Sequence, residues 1–172
     1  SFEKGQKIAI TGSNGLGKTT LLKSLLGLID PISGTMEKGE FLHIGYFEQE
    51  LKGSPSTTCI EEIWNTFPSF TQVQVRHALA KLGLTTQQLE SKISVLSGGE
   101  QAKVRLCKII NTPSNILVLD EPTNHLDQDA KDELKRALIE YKGSILLVSH
   151  EPDFYQDIAT DTINIEDWTT KM

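Results

Sequence analysis

Eight residues near the amino end constrain this 172-residue chain more than any other stretch. Gly12-Ser13-Asn14-Gly15-Leu16-Gly17-Lys18-Thr19 has the pattern GxxxxGK[ST]. The β-branched run Lys7–Thr11 (KIAIT) precedes it and reads as a buried strand. Residues 17–26 follow as a helix, with Leu21, Leu22, Leu25 and Leu26 on one stripe and Gly27 near its end. A strand, a glycine loop and a helix in that order build a phosphate cradle. Gly12, Gly15 and Gly17 let the backbone turn tightly and approach an anion without Cβ clashes. Successive N–H groups line such a loop as an anion nest, and the helix adds its positive N-terminal end. Lys18 brings a mobile cation to the β- and γ-phosphates of a nucleotide, and the Thr19 hydroxyl can ligate Mg²⁺. Thr20 reads equally as an auxiliary phosphate contact or as a plain helix residue.

A second constraint lies a hundred residues on. The continuous apolar run Ile116-Leu117-Val118-Leu119 suits a central parallel strand, and Asp120 and Glu121 end it. Open α/β sheets bind ligands at that end of the strands. Asp120 can hold Mg²⁺ directly or through water, and Glu121 can orient an attacking water or accept its proton.

The rest of the chain alternates between strand and helix patterns. Residues 41–47, Ser144–Val148 and 162–165 read as strands, and residues 53–58 as a loop. Val75, Ala78, Leu79 and Leu82 recur at helical spacing before Gly83, and so do Ala130, Leu134, Ala137, Leu138 and Tyr141 before Gly143. This order predicts an α/β domain with a mostly parallel sheet. Residues 59 to about 109 carry little strand signal and read as an inserted helical subdomain. The core is then residues 1–58 and 110–172 of a single domain.

Composition excludes several functions. The net charge is −6, and residues 113–172 supply the excess with five basic against thirteen acidic side chains. No basic stripe is present that would neutralise a phosphate backbone, which disfavours direct nucleic-acid binding. No apolar run approaches the roughly 18 residues of a membrane span. Cys59 and Cys107 form no CxxC pair and read as buried or free thiols of a reducing compartment. His43, His77 and His125 have no metal-ligand spacing. Phe2 reads as a core residue, and Lys103, Arg105 and Lys108 as one solvated helix face. Ser1 in place of an initiator Met reads as the start of a processed or excised piece.

Three further stretches resemble one family. Leu96-Ser97-Gly98-Gly99-Glu100 is similar to the LSGGQ signature of ATP-binding cassette (ABC) ATPases, with Glu100 in place of Gln. Gln49, after a strand, resembles the family's Q-loop glutamine, and His150, after Ser144–Val148, its switch histidine. The resemblance runs from residue 5 to about 160. It implies a P-loop NTPase (RecA-like) core of the ABC ATPase fold, with ATP and Mg²⁺ as ligands. It implies that Gly12, Ser13, Asn14, Gly15, Leu16, Gly17, Lys18, Thr19 and Thr20 bind nucleotide. It gives Mg²⁺ to Thr19, Gln49 and Asp120, and catalysis to Glu121, His150 and Gln49. Ser97, Gly98 and Gly99 would contact the ATP of a second cassette, because such cassettes pair head to tail.

The branch is legible too. Glu121-Pro122-Thr123-Asn124-His125-Leu126-Asp127 and LSGGE resemble the ABC-F proteins, which carry two cassettes in one chain and act on ribosomes. The interval from Gln49 to Leu96 leaves no room for a long arm hairpin, so the chain resembles a second cassette. Asp127 belongs either to the interface with the partner cassette or to the cap of the next helix, or to both. Ser13 stands where proline is frequent in that branch, and Glu151-Pro152-Asp153 departs from its usual run. The resemblance thus implies a cytoplasmic, Mg-dependent ATPase that needs a paired cassette and touches the ribosome mainly through other regions. Its role is in translation or antibiotic resistance. The alternative is the nucleotide-binding subunit of a membrane transporter. A DNA-repair or chromosome ATPase would need a long coiled coil between the motifs, and none is there.

Overall fold

The apolar runs assemble by parallel pairing. The computed structural model describes residues 2–13, 15–31, 34, 37, 39–47 and 56–169. Its elements in chain order are β1 (Lys7–Thr11), α1 (Lys18–Leu25), β2 (Ile44–Phe47), α2 (Cys59–Thr66), α3 (Gln72–Lys81), α4 (Thr86–Glu90), a 3₁₀ turn (Ile93–Val95), α5 (Gly98–Asn111), β3 (Ile116–Asp120), α6 (Gln128–Glu140), β4 (Ser144–Val148), α7 (Pro152–Tyr155), β5 (Asp161–Asn164) and α8 (Glu166–Thr169). The five strands among the described residues form one sheet in the order β2-β3-β4-β1-β5. Every neighbouring pair is parallel. This is the α/β fold the strand and helix pattern predicts.

The chain divides into two compact units. The first comprises residues 1–49, 113–122 and 138–172, and the second residues 50–112 and 123–137. The first unit is the sheet. Its middle strand β4 is buried at all five positions, as a strand covered on both faces must be. Ile8, Ile10, Val118, Leu146 and Val148 point to one face and enclose Leu22 of α1. Leu25 is exposed instead, because the stripe of α1 that meets the sheet centres on Leu22.

Two sequence expectations fail in this unit. The strand expected over residues 41–47 begins only at Ile44. Phe41 is 84% exposed and has a left-handed backbone with φ 62, which no strand position tolerates. Asn115 holds this turn by donating to the Phe41 carbonyl at 2.7 Å and accepting from the His43 amide at 2.8 Å. Phe2 does not enter the core either and is 37% exposed.

The second unit is helical, and the starts of α2, α3, α4 and α5 share one device. Thr58, Thr71, Thr85 and Ser97 each cap a helix with their hydroxyl, and Glu61, Gln74, Gln88 and Glu100 return the bond to the cap amide. Such reciprocal boxes satisfy two backbone donors that a helix start otherwise leaves unpaired. Both cysteines are buried and free. Burial pushes the Cys59 thiol up to about 11 and the Cys107 thiol up to about 12, so neither is a ready thiolate.

The basic residues of α5 do not share a solvated face. Lys103 is buried, and its Nζ lies 2.6 Å from Asp127 Oδ2. Lys108 pairs with Glu62 of α2 at 2.6 Å. The reason is the helical period: residues 103 and 105 lie about 200° apart around the axis, so they cannot face the same way. Asp127 also caps α6, its Oδ1 accepting from the Ala130 amide at 2.9 Å.

Asp127 yields a pH prediction. The hydrogen bond from Lys103 holds its carboxyl below the usual 3.8, and the Ala130 amide adds to this. A carboxyl whose folded-state pKa is lowered contributes stability above its unfolded value, and loses it as pH falls through the folded value. Asp127→Asn keeps a cap acceptor and removes the charge. Denaturant midpoints should therefore show the parent more stable than Asp127→Asn at pH 6, with the gap closing below about pH 3.8. A gap of equal size at pH 6 and pH 3 would mean that the charge contributes nothing.

Candidate functional site

β1, β3 and β4 all end at the same edge of the sheet. Lys7–Ile10 pair with Ile145–Val148, and Ile116–Asp120 pair with Ser144–Val148, so residues 12, 121 and 149 leave the sheet side by side. The glycine loop leaves β1 and enters α1 at Gly17, whose φ of 88 makes it a left-handed cap. Lys18 is buried at the first position of α1, and its Nζ donates to the carbonyls of Gly12 at 2.7 Å and Ser13 at 3.0 Å. The ammonium is thus held against the loop at the N-terminus of α1. Thr20 is exposed on α1.

The acidic strand end meets this loop across the sheet. The Thr19 hydroxyl donates to Asp120 Oδ2 at 2.7 Å, joining residues 101 apart in sequence. Asp120 is 2% exposed, and its buried Oδ1 has no hydrogen-bond partner among the described residues. An unmatched buried carboxylate oxygen costs about 1–3 kcal/mol or more, so it demands a function. A hydroxyl and a carboxylate with an open oxygen, both hard oxygen donors, fit Mg²⁺.

Glu121 is the strained residue of the site. Its φ of 48 is left-handed, which for a side chain of this size costs on the order of 1–3 kcal/mol. Its amide donates to the Val148 carbonyl at 3.0 Å, which holds the backbone in that turn. His150 follows β4, and its Nδ1 lies 2.8 Å from Glu121 Oε2. Glu121 Oε1, like Asp120 Oδ1, is buried with no partner among the described residues. A carboxylate with one oxygen anchored and the other open can orient a water and take its proton.

The loop is also held from behind. Glu166 Oε1 accepts from the Ser13 amide at 2.9 Å and from the Ser13 hydroxyl. These bonds, and the nearby charge of Lys18, hold the Glu166 carboxyl below the usual carboxylate range. Nothing in sequence pattern pairs two residues 153 positions apart, so Glu166 is absent from the sequence expectations.

The signature lies in the helical unit. Ser97 caps α5: its Oγ accepts from the Glu100 amide at 3.2 Å, and Glu100 Oε2 accepts from the Ser97 amide at 2.8 Å. Glu100 Oε1 also accepts from Gln88 Nε2 at 2.6 Å. Glutamate at the place of the usual glutamine is thus the completing half of a capping box. Gly98 is exposed, with open space where a Cβ would stand. Gly99 has a different reason: a Cβ there would lie 2.5 Å from the His125 carbonyl oxygen. Gln49 and Asn14 lie outside the described residues.

The comparisons with known proteins agree with this geometry. The family profile described as ABC transporter matches residues 1–124. The chain is 69% identical over 171 residues to a Bacillus subtilis protein named uncharacterized ABC transporter ATP-binding protein YfmM, covering 99% of this chain and 33% of that protein. It is 40% identical over 170 residues to ABC transporter F family member 5 of Arabidopsis thaliana, covering 97% of this chain and 25% of that protein. Among solved structures, an archaeal ribosome recycling factor, aABCE1, in complex with ribosomal stalk protein aP1, matches with a TM-score of 0.80 at 27% identity, covering 95% of this chain and 32% of that chain. The chain spans a quarter to a third of the length of these relatives. No helix among the described residues is long and apolar enough to cross a membrane. With its phosphate loop, acidic strand end and parallel sheet gathered at one edge, the chain belongs to the ABC transporter family as an ATP-binding cassette related to the F-family proteins.

Proposed function

We propose that this cassette hydrolyses ATP at the edge where β1, β3 and β4 end, as part of a protein that works on the ribosome. The observation that carries the chemical reading is the Thr19–Asp120 contact at 2.7 Å beside an open Asp120 oxygen. The loop amides and Lys18 bind the β- and γ-phosphates. Thr19 and Asp120 hold Mg²⁺, with Gln49 expected as a further ligand. Bound there, the metal neutralises part of the negative charge that develops on the transferred phosphoryl group.

Glu121 orients the attacking water in line with the bond to be broken. As the new O–P bond forms and the bond to the β-phosphate oxygen breaks, the water proton passes to the carboxylate. His150 anchors Glu121 Oε2, and its other ring nitrogen would donate to the γ-phosphate. Lys18 and the loop amides stabilise the charge on the equatorial oxygens. Ser97, Gly98 and Gly99 complete the site of a second cassette in a head-to-tail pair.

The ribosomal part rests on relatedness. The F-family relative and the structural likeness to a ribosome recycling factor support it, together with the EPTNHLD and LSGGE stretches. Ribosome contact falls to regions outside this chain, given the acidic excess of residues 113–172. The protein is expected in the cytoplasm.

Two variants divide binding from chemistry. Lys18→Ala should weaken equilibrium binding of ATP by about two orders of magnitude, the scale of losing a charge-assisted contact. Affinity near the parent's would remove Lys18 from the phosphate site. Glu121→Gln should bind ATP normally and lower turnover by roughly 10²–10⁴-fold. Hydrolysis at the parent rate would assign the base elsewhere. Cells expressing the full-length Glu121→Gln protein should show it co-sedimenting with ribosomes. Its recovery in the membrane pellet would favour a transporter instead.

A further inference from the structure

The end of β5 is built onto the first turn of the phosphate loop. Thr11 of β1 pairs with Asn164 of β5, and the Ile165 amide donates to the Thr11 carbonyl at 3.0 Å. Asn164 Oδ1 accepts from the Glu166 amide at 3.0 Å. Glu166 Oε1 then receives both the Ser13 amide, at 2.9 Å, and the Ser13 hydroxyl. Gly12 is wedged against the same segment: its φ is 129, and a Cβ there would stand 2.6 Å from Ile165 Cγ2 and 3.2 Å from Asn164 Oδ1. The two residues that open the loop are therefore held by β5 and the residues just after it.

This matters because an anion nest works by direction. Its amides stabilise a phosphate only while they converge on one point, and preorganised donors lose no free energy to reorientation on binding. Gly12 and Ser13 also supply both carbonyls that hold the Lys18 ammonium. A rotation at Ser13 would move the amides and the cation together. The Ser13 amide itself is committed to Glu166, so its part is to set the turn.

We propose that Glu166 is a positioning residue of the phosphate loop: its carboxylate, bound by the Ser13 amide and hydroxyl, fixes the entry turn and thereby sets affinity for the nucleotide triphosphate. The inference rests on the phosphate-loop reading above and adds a residue that acts on the loop through Ser13. It also accounts for a serine at position 13, whose amide and hydroxyl both donate to the one carboxylate.

The test is binding rather than turnover, in the full-length protein. Kd for a fluorescent, non-hydrolysable ATP analogue with Mg²⁺ is measured for the parent, Glu166→Ala, Glu166→Gln, Ser13→Ala and the Ser13→Ala/Glu166→Ala double variant. Glu166→Ala should raise Kd about tenfold, as loss of a charge-assisted pair of bonds implies. Glu166→Gln retains an acceptor and should stay within about twofold of the parent. Ser13→Ala should raise Kd about threefold, and the double variant should bind no more weakly than Glu166→Ala, because both changes break one contact. Tm without nucleotide should move by less than about 2 °C, which separates positioning from general stability.

The proposal is overturned by parental Kd in Glu166→Ala, by tighter binding in both Glu166 variants, or by losses that multiply in the double variant. A fall in Tm at parental Kd overturns it as well. If Glu166→Ala does not fold, Ser13→Ala decides alone: a raised Kd supports the proposal and an unchanged one overturns it. Lys18→Ala, measured in parallel, keeps the two readings apart. Lost binding there with parental binding in the Glu166 and Ser13 variants removes only the positioning role. Retained binding there removes the phosphate-site reading itself.

Discussion

Everything at the candidate site depends on β4 being hydrogen-bonded in parallel to β1 on one side and to β3 on the other. That pairing puts three chain segments, distant in sequence, at one height above the sheet. The glycine loop leaves β1, the acidic pair closes β3, and His150 follows β4. Thr19 reaches Asp120 and His150 reaches Glu121 only because the strands beneath them are in register. The registers are in turn held by a middle strand whose five residues are all buried. A shift of one residue would send each side chain of β4 to the opposite face.

Against this regular base, the reactive residues are the irregular ones. Glu121 takes a left-handed backbone, and one oxygen of each of Asp120 and Glu121 is buried with no partner among the described residues. Such features persist where surrounding structure holds them and a function needs them. Here the Val148 carbonyl, the His150 ring and the Thr19 hydroxyl do the holding. The helical unit shows the opposite economy. Four capping boxes satisfy the starts of α2 to α5, and the unusual glutamate of the signature completes one of them.

The parts legible in sequence are those where chemistry restricts the residue type. A phosphate loop admits few sequences, because its amides, its lysine and its hydroxyl are all needed in order. β3 and β4 are legible as unbroken apolar runs, since both faces are covered. The S/T-x-x-E/Q spacing at Thr58, Thr71, Thr85 and Ser97 was present as a signal, and it marks every helix start in that unit from α2 to α5. Other features depend on three-dimensional partners. Lys103 resembles any basic helix residue until Asp127 is found beside it. Phe41 reads as the head of the strand pattern of residues 41–47, and its backbone and the Asn115 contacts show that the chain turns there. Ser13 and Glu166 meet because β5 lies beside β1, which no local pattern announces.

The central claim is that Thr19, Asp120, Glu121 and Lys18 form one nucleotide site. A crystal structure of the full-length protein with a non-hydrolysable ATP analogue and Mn²⁺ in place of Mg²⁺ tests it most directly. The account predicts an anomalous peak coordinated by Thr19 Oγ1, with Asp120 bound to it directly or through one water. It also predicts the γ-phosphate against Lys18, and a water within hydrogen-bond reach of Glu121. Metal density away from Thr19 and Asp120, or a nucleotide whose phosphates lie outside the loop of residues 12–19, would contradict it.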